Sequence, residues 1–508
     1  MSQFDFIEQS SLGAGFVYKN TSGGYVYGVT HFVATTGSGT TVLNISSVTD
    51  GLVQVGLTLT GLSGSVTIVS LGTFNGVSGT VNLSGIVTWT DPTTVTGIGF
   101  LKITASAYPA KTVRGVVYLD GTYYVMNADG TIYGSEINNP YLWTFLNSIQ
   151  TIAEPDTAVA LFRQLNLIVA FCDYSIEFFY DAANPPPGSP LAPYSSATLG
   201  MGCASADSIA QAENTLFFMG KAKQKGRSIY KMEGTKPMPI SNSFVDRILD
   251  GDDLSNVVSF VLKLKGHLLY CLTLKTTGIT LVYDNLTGIW NIWTQLNIGF
   301  QVTAENLSWV DGLATMTLTN HQIADGSYMK LESAGNYSGS YVINSPTANT
   351  ITFDLPTNPG VWNGFGTCSI YTEKYFNIAN YLKSGSRDTV QDSTTGFVYA
   401  LDTGTYNDNI NPIKYRLRTA KFDNSNNKAK FYKQLEIIGD KVPATGYICY
   451  SDDDYETWSQ FRPINLLHSR SKLDRLGQAR RRAFDFINYD NQPLRLENLE
   501  MIVKEGIH

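Results

Sequence analysis

The chain has 508 residues, with 36 Lys plus Arg against 43 Asp plus Glu and a formal charge of -7, which excludes a globally basic nucleic-acid binder but not a local basic patch. Hydrophobic residues make up 43% and charged residues only 16%, against about 25% in ordinary soluble proteins, so core material is ample and wholesale disorder is ruled out. A chain of this length is expected to build two or more structural units.

The opening MSQFDFIEQSSLGAGF carries acidic residues where a signal peptide needs basic ones, and no long apolar run marks a transmembrane helix. The 46 Gly, 29 Tyr and 25 Phe point to many strands joined by tight turns. Cys172, Cys203, Cys271, Cys368 and Cys449 are scattered, with none in a C-x-x-C pair. They read as reduced thiols of a chain made in a cytoplasm. The five histidines are equally dispersed, so neither a metal nor a cofactor is expected.

Residues 1–30 read as N-terminal strands that join the main body. From 35 to 96 the sequence is almost purely Gly, Ser, Thr, Val and Leu, in short alternating runs such as LVQVGLTLTGL and GTVNLSGIVTW. Alternation with β-branched residues predicts a small β-domain inserted over 31–100 rather than a low-complexity linker, which has no use for spaced Val and Leu. From Val113 onward, hairpins such as VRGVVYLDGTYYVMNADGTIYGSEI recur every 40 to 50 residues. That spacing fits the blades of a β-propeller over 101–318 and 368–508, with stacked β-sandwiches as the alternative. Between them, residues 319–367 read as an inserted small β-barrel, with turns at Asp325-Gly326 and Ser338-Gly339. Only 241–249, capped by Ser241 or Ser243, and 371–382 look helical.

The last 98 residues, from Asn411, hold 17 basic and 13 acidic side chains, net +4, while the rest of the chain is net -11. The excess gathers in HSRSKLDRLGQARRRAFDF, at Arg470, Lys472, Arg475, Arg480, Arg481 and Arg482. In a strand, Arg480 and Arg482 would share one face and Arg481 the other. Three uses are open to the tract: ion pairs with a neighbouring subunit or adaptor, phosphate contact, or a solvated face.

Asp452, Asp453, Asp454 and Glu456 invite a catalytic or cation-binding reading. SDDDYETW also has the spacing of an Asp-box turn, formed by Ser451, Asp453, Thr457 and Trp458. There an aspartate caps turn amides and a tryptophan packs beneath. Tyr455 stands where such turns usually have glycine. Gly13-Ala14-Gly15 and Gly200-Met201-Gly202 lack any phosphate-loop context, and no nucleophile or zinc motif occurs. No catalytic residue is expected.

Several ordered motifs carry a family likeness. VRGVVYLDGTYYVMNADGTIYGSEINNPYLW, DYSIEFFYDA, GCASADSIAQAENTLFFMG, VVSFVLKLKGHLLYCLTL and RLGQARRRAFDF resemble the tail-nozzle, or packaged-DNA stabilisation, proteins of short-tailed bacteriophages. The likeness runs from Val113 to Val503 apart from the second insertion, and leaves 31–100 unmatched. It implies an all-β fold, a six-bladed β-propeller core with inserted small β-domains, and no enzymatic activity. It further implies six copies in a ring, docked on the adaptor ring of the head-to-tail connector. Packaged double-stranded DNA would pass transiently through the channel, and tail fibres or a needle are further partners. The positions carried over are structural: Asn138, Pro140 and Trp143, then Gly266 and His267, then Gly477, Arg480 and Arg482. The expected place is the virion tail, after assembly in the host bacterial cytoplasm. The competing function is a host-glycan-binding, tail-spike or fibre-associated propeller, which clustered tyrosine and tryptophan with polar partners would favour.

Overall fold

The computed structural model describes residues 5–8, 16–20, 23–35, 39–50, 52–90, 92–344, 346–384, 387–402 and 404–506. Gly13-Ala14-Gly15 and the rest of the expected N-terminal strands beyond those ranges lie outside the described residues. The chain divides into two compact units, Met1–Lys263 and Leu264–His508.

The first unit begins with strands Asp5–Glu8 and Phe16–Asn20, which pair in turn onto the first strand of a closed barrel, not onto a propeller. Strands Gly23–Thr35, Thr40–Asp50, Gly79–Val87, Val66–Leu71, Thr58–Thr60 and Thr93–Lys102 pair in that order, and the last returns to the first from Tyr25↔Lys102 to Ala34↔Thr93. Alternation decides what fills it. Phe32, Ala34, Leu43, Ile45, Val81, Leu83 and Val95 are buried in its core, while alternate positions such as Ser46, Ser84 and Thr94 are exposed.

Three antiparallel meanders follow. The first runs through Val117–Leu119, Thr122–Met126, Thr131–Glu136 and Asn139–Gln150, and the second through Ala158–Gln164, Leu167–Cys172, Ile176–Asp181 and Leu191–Pro193. The third is built on Thr215–Ala222, Lys225–Glu233 and Lys236–Pro239. The first two meanders share a core around Tyr124, Leu161 and Phe179, and the second and third share Phe171, Phe178 and Phe218. The helix is Ser243–Gly251, and its cap is Asn242, whose carbonyl side chain accepts from Phe244 N and Val245 N. Ser241, expected as the cap, instead accepts from Ile229 N at 3.0 Å and so ties the helix to the sheet.

In the second unit, strands His267–Leu274, Ile279–Asp284 and Ile289–Thr303 form a further meander. Its last strand has 15 residues and runs on to pair with Thr367–Tyr375. The second strand of that pair then continues the sheet through Tyr328–Glu332, Gly339–Asn344, Thr350–Asp354, Leu313–Thr317 and Glu305–Val310, over a core of Met316, Met329, Ile343, Ile351 and Phe353. Segment 371–382 is therefore strand, in Thr367–Tyr375 and Ile378–Ser384, because ladder pairing overrides its apparent helical spacing.

The C-terminal region is a two-sheet sandwich. One sheet orders Tyr415–Arg418, Ala483–Asn488, Thr445–Ser451 and Arg462–Asn465, and the other sets Ser471–Asp474 and Leu496–Glu505 beside Lys430–Gly439. Both contribute to one core of Tyr432, Leu435, Ile448, Leu473, Phe484 and Phe486.

The all-β class holds, but the six-bladed propeller core does not. Among the described residues the topology is one closed six-stranded barrel and eight separate, unclosed sheets, not six radial blades. Hairpin spacing describes the meanders correctly and fails beyond them. The long strand Ile289–Thr303 carries one sheet into the next, and in the sandwich the pairing departs from chain order.

One glycine joins the first two meanders. Gly115 has φ +103°, and a Cβ there would lie 1.8 Å from Leu161 O, because Arg114 O accepts from Leu161 N at 2.8 Å. Gly115→Ala is expected to destabilise the protein by several kcal/mol, combining overpacking with a left-handed backbone. Gly266→Ala, with φ +87° but nothing within 4 Å, should cost only about 1–2 kcal/mol. Denaturant unfolding of both variants checks the difference.

Candidate functional site

The acidic turn and the basic tract meet at one end of the sandwich. Strand Thr445–Ser451 ends where SDDDYETW begins, and the three aspartates take three different partners. Asp453 closes the turn on itself. It accepts from Thr457 N at 2.9 Å, from the Thr457 hydroxyl, and from Ser451 Oγ at 2.9 Å, while Ser451 Oγ accepts from Tyr455 N at 3.0 Å. The Thr457 hydroxyl, then its amide, hold the Asp453 carboxyl down at about 2. Tyr455, in the expected glycine position, has φ 75°. Its ring lies 6.0 Å from that of Trp458, and Arg418 Cζ stands 4.6 Å over the Trp458 ring.

Asp452 reaches across to Arg482. Arg482 Nε donates to Oδ1 at 2.6 Å and Nη2 to Oδ2 at 2.7 Å, a bidentate pair. The guanidinium lies between the rings of Tyr450 and Tyr432, 3.9 and 4.3 Å from their centroids, and its side chain is 1% exposed. Nη1 donates to Leu476 O. Asp454 binds Lys421 at 3.0 Å and Arg481 at 3.3 Å.

The arginine run is not a regular strand. Gln478–Ala479 ends before it and Ala483–Asn488 begins after it, so the expected strand alternation gives way to a bend. Arg482 is spent inside, Arg481 is half committed to Asp454, and Arg480 is exposed. Arg470 is 70% exposed, 3.6 Å from Glu436, and Lys472 and Arg475 are also exposed. Gly477 adopts φ +75° and its carbonyl accepts from Tyr432 N at 2.9 Å. Below the run sits a cation that sequence reasoning missed. Lys430, 0% exposed, donates from Nζ to the carbonyls of Asn426, Lys428 and Arg480, each at 2.9 Å. A lone lysine in a strand gives no signal of such a cage.

The remaining family-like positions serve turns and packing. Asn138 has φ 57° and donates its amide to Gly121 O at 2.7 Å. Pro140 O accepts from the buried Trp143 Nε1 at 2.8 Å. His267 Nδ1 lies 2.8 Å from Asp284 Oδ2. Burial pushes the Asp284 carboxyl up, but bonds from Thr287, Leu286 and His267 outweigh it and hold the group below its usual range.

Chemically, these carboxylates are structural acceptors. Among the described residues no group of three or more His, Cys, Asp or Glu is placed to hold a metal ion. All five cysteines are free and buried, and burial pushes Cys203 up to about 11 and Cys172 to about 12, far from a reactive thiolate. No helix of the described residues is long and apolar enough to cross a membrane.

Comparison with known proteins adds the family. The model described as "Bacteriophage P22 Gp10, beta-propeller" (Phage_stabilise) matches residues 11–327, more than half of the chain. The chain belongs to the phage stabilisation family. This phage stabilisation protein accordingly has a structural, non-catalytic role in stabilising packaged DNA and in its ejection through the phage tail. The matched span includes 31–100, which the sequence motifs left out, and ends before the sandwich. No curated protein matches it. Among solved structures it is similar to BamB from Moraxella catarrhalis, with 12% identity, 78% of this chain and 97% of that chain covered, and a TM-score of 0.26. Sqt1 from Saccharomyces cerevisiae matches at 11% identity, 74% and 86% coverage and a TM-score of 0.26. Neither likeness carries an argument about this protein.

Asp452→Ala should cost about 3 kcal/mol or more, since it strands a buried guanidinium, whereas Glu456→Ala should be near neutral; chemical denaturation reads both. Asp453 and Asp284 are both depressed, so their stabilisation is complete above the unfolded carboxylate value of about 4 and is lost as pH falls through the folded values. Melting between pH 5 and pH 2 should therefore fall more steeply for the wild type than for an Asp453→Asn, Asp284→Asn variant.

Proposed function

We propose that this protein is the tail nozzle of a short-tailed phage: a closed ring of six copies, docked on the adaptor ring, that retains the packaged genome and opens for ejection. The observation that carries the reading is membership of the phage stabilisation family over residues 11–327. The charge distribution supports it. A body of net -11 repels the phosphates of passing DNA, while the net +4 C-terminal region offers a complementary face to an acidic neighbour.

In this reading Arg470, Lys472, Arg475, Arg480 and Arg481 make the subunit or adaptor contact, and Arg482 supports them from within. The segment 31–100 is a β-module with an apolar core drawn almost wholly from its own strands, whereas 319–367 is no separate barrel, since its strands share an open sheet and a core with Ala304, Leu307, Ala314, Met316, Cys368 and Ile370; both are available for contact with fibres or a needle. The protein is made in the host cytoplasm and ends in the virion tail.

The test uses the full chain. Native mass spectrometry should detect six-copy rings, and Arg480→Ser with Arg481→Ser should weaken ring formation or adaptor binding about tenfold, the worth of one or two exposed ion pairs per contact. Folding should be unaffected, because Arg482 is retained. Duplex DNA binding with a steep salt dependence that the double variant loses, alongside unchanged assembly, would contradict the assignment.

A further inference from the structure

The second unit contains a cavity of about 470 Å³. Its volume lies within the range of small-ligand sites, roughly 300–1,000 Å³. The Asp325-Gly326 turn forms one wall. That turn is fixed from two sides: Tyr489 Oη donates to Gly326 O at 2.8 Å, and a Cβ on Gly326 would meet Phe461 at 2.5 Å.

Three tyrosines back one side of the cavity, with Tyr371 and Tyr489 buried in the core behind it and Tyr328 half-buried. The Tyr328 ring is 5.2 Å from Tyr371 at 73° and 4.9 Å from Tyr489 at 36°. Four charged side chains complete the lining, Lys414 and Arg416 against Glu373 and Asp325, so the formal charges cancel. Lys414 has only 10% of its side chain exposed and donates to Glu373, which uses one of the three donors of its ammonium. Arg416 is held in place by Asp485 through Nε and Nη2. The fixed donors and acceptors therefore face a space bounded by aromatic rings.

We infer that this cavity binds an uncharged saccharide unit. Vicinal hydroxyls both donate and accept, which matches carboxylates and cations set side by side, and the C–H face of a sugar ring suits the half-buried Tyr328 ring. A purely apolar ligand would leave the remaining hydrogen-bonding capacity of these charged groups unused, and an anion would face two carboxylates. The inference is independent of the ring assembly. It concerns the chemistry of the ligand, which is the same for a free saccharide and for a unit within a polysaccharide.

Saturation-transfer NMR on the full chain tests it, with lactose, maltose, cellobiose and N,N′-diacetylchitobiose as free probes, dextran as the polymer, and glucuronate as the acidic control. Transfer to at least one uncharged probe is expected, at millimolar affinity, and dextran against the disaccharides distinguishes the source. Glu373→Gln removes an acceptor charge and should weaken binding about tenfold. Ala324→Trp fills the mouth from an exposed position and should abolish binding with an unchanged melting curve. No transfer to any uncharged probe, stronger transfer to glucuronate, or equal transfer to wild type and the Ala324→Trp variant would overturn the inference.

Discussion

A buried guanidinium organises the C-terminal sandwich. Taking Arg482 out of water is costly, and the cost is offset only because Asp452 meets it bidentately, two tyrosine rings cover its faces and Leu476 O accepts a further hydrogen bond. These partners come from different strands, so the geometry couples the turn at 451–458, the strand at 430–439 and the start of the last core strand. Lys430 repeats the solution with carbonyls alone and pins the bend through Arg480 O. With the bend fixed from beneath, the side chains of Arg480 and Arg481 are left at the surface.

That division gives the basic tract two purposes. The inner arginine specifies the local structure, and the outer ones leave their charge at the surface, where a single exposed ion pair is worth little. The acidic run is similarly partitioned among an internal ion pair, a turn cap and a surface pair. Neither run behaves as a uniform patch, and neither assembles catalytic chemistry.

Much of the strand content was legible because alternation and turn residues report directly on β-structure. The barrel strands over 23–102 follow their Val, Leu and Ile pattern, and SDDDYETW announces its hydrogen bonds by spacing alone. Closure was not legible. Blade-like hairpin spacing is a local signal, whereas the continuation of Ile289–Thr303 against Thr367–Tyr375 pairs residues some seventy positions apart. The same limit hid Lys430, the Asp452–Arg482 pair and the tyrosine-lined cavity, whose members are scattered between residues 296 and 489. Arg482 was visible as a charge, but its burial depends on tyrosines contributed by two other strands.

As a member of the phage stabilisation family, the protein is a structural component of the phage tail. Electron cryomicroscopy of purified particles, with the chain located by a C-terminal tag, tests this most directly. Six copies of the tagged density are expected around the channel below the adaptor. Density confined to the capsid shell, or a tagged protein absent from infectious particles, would contradict it.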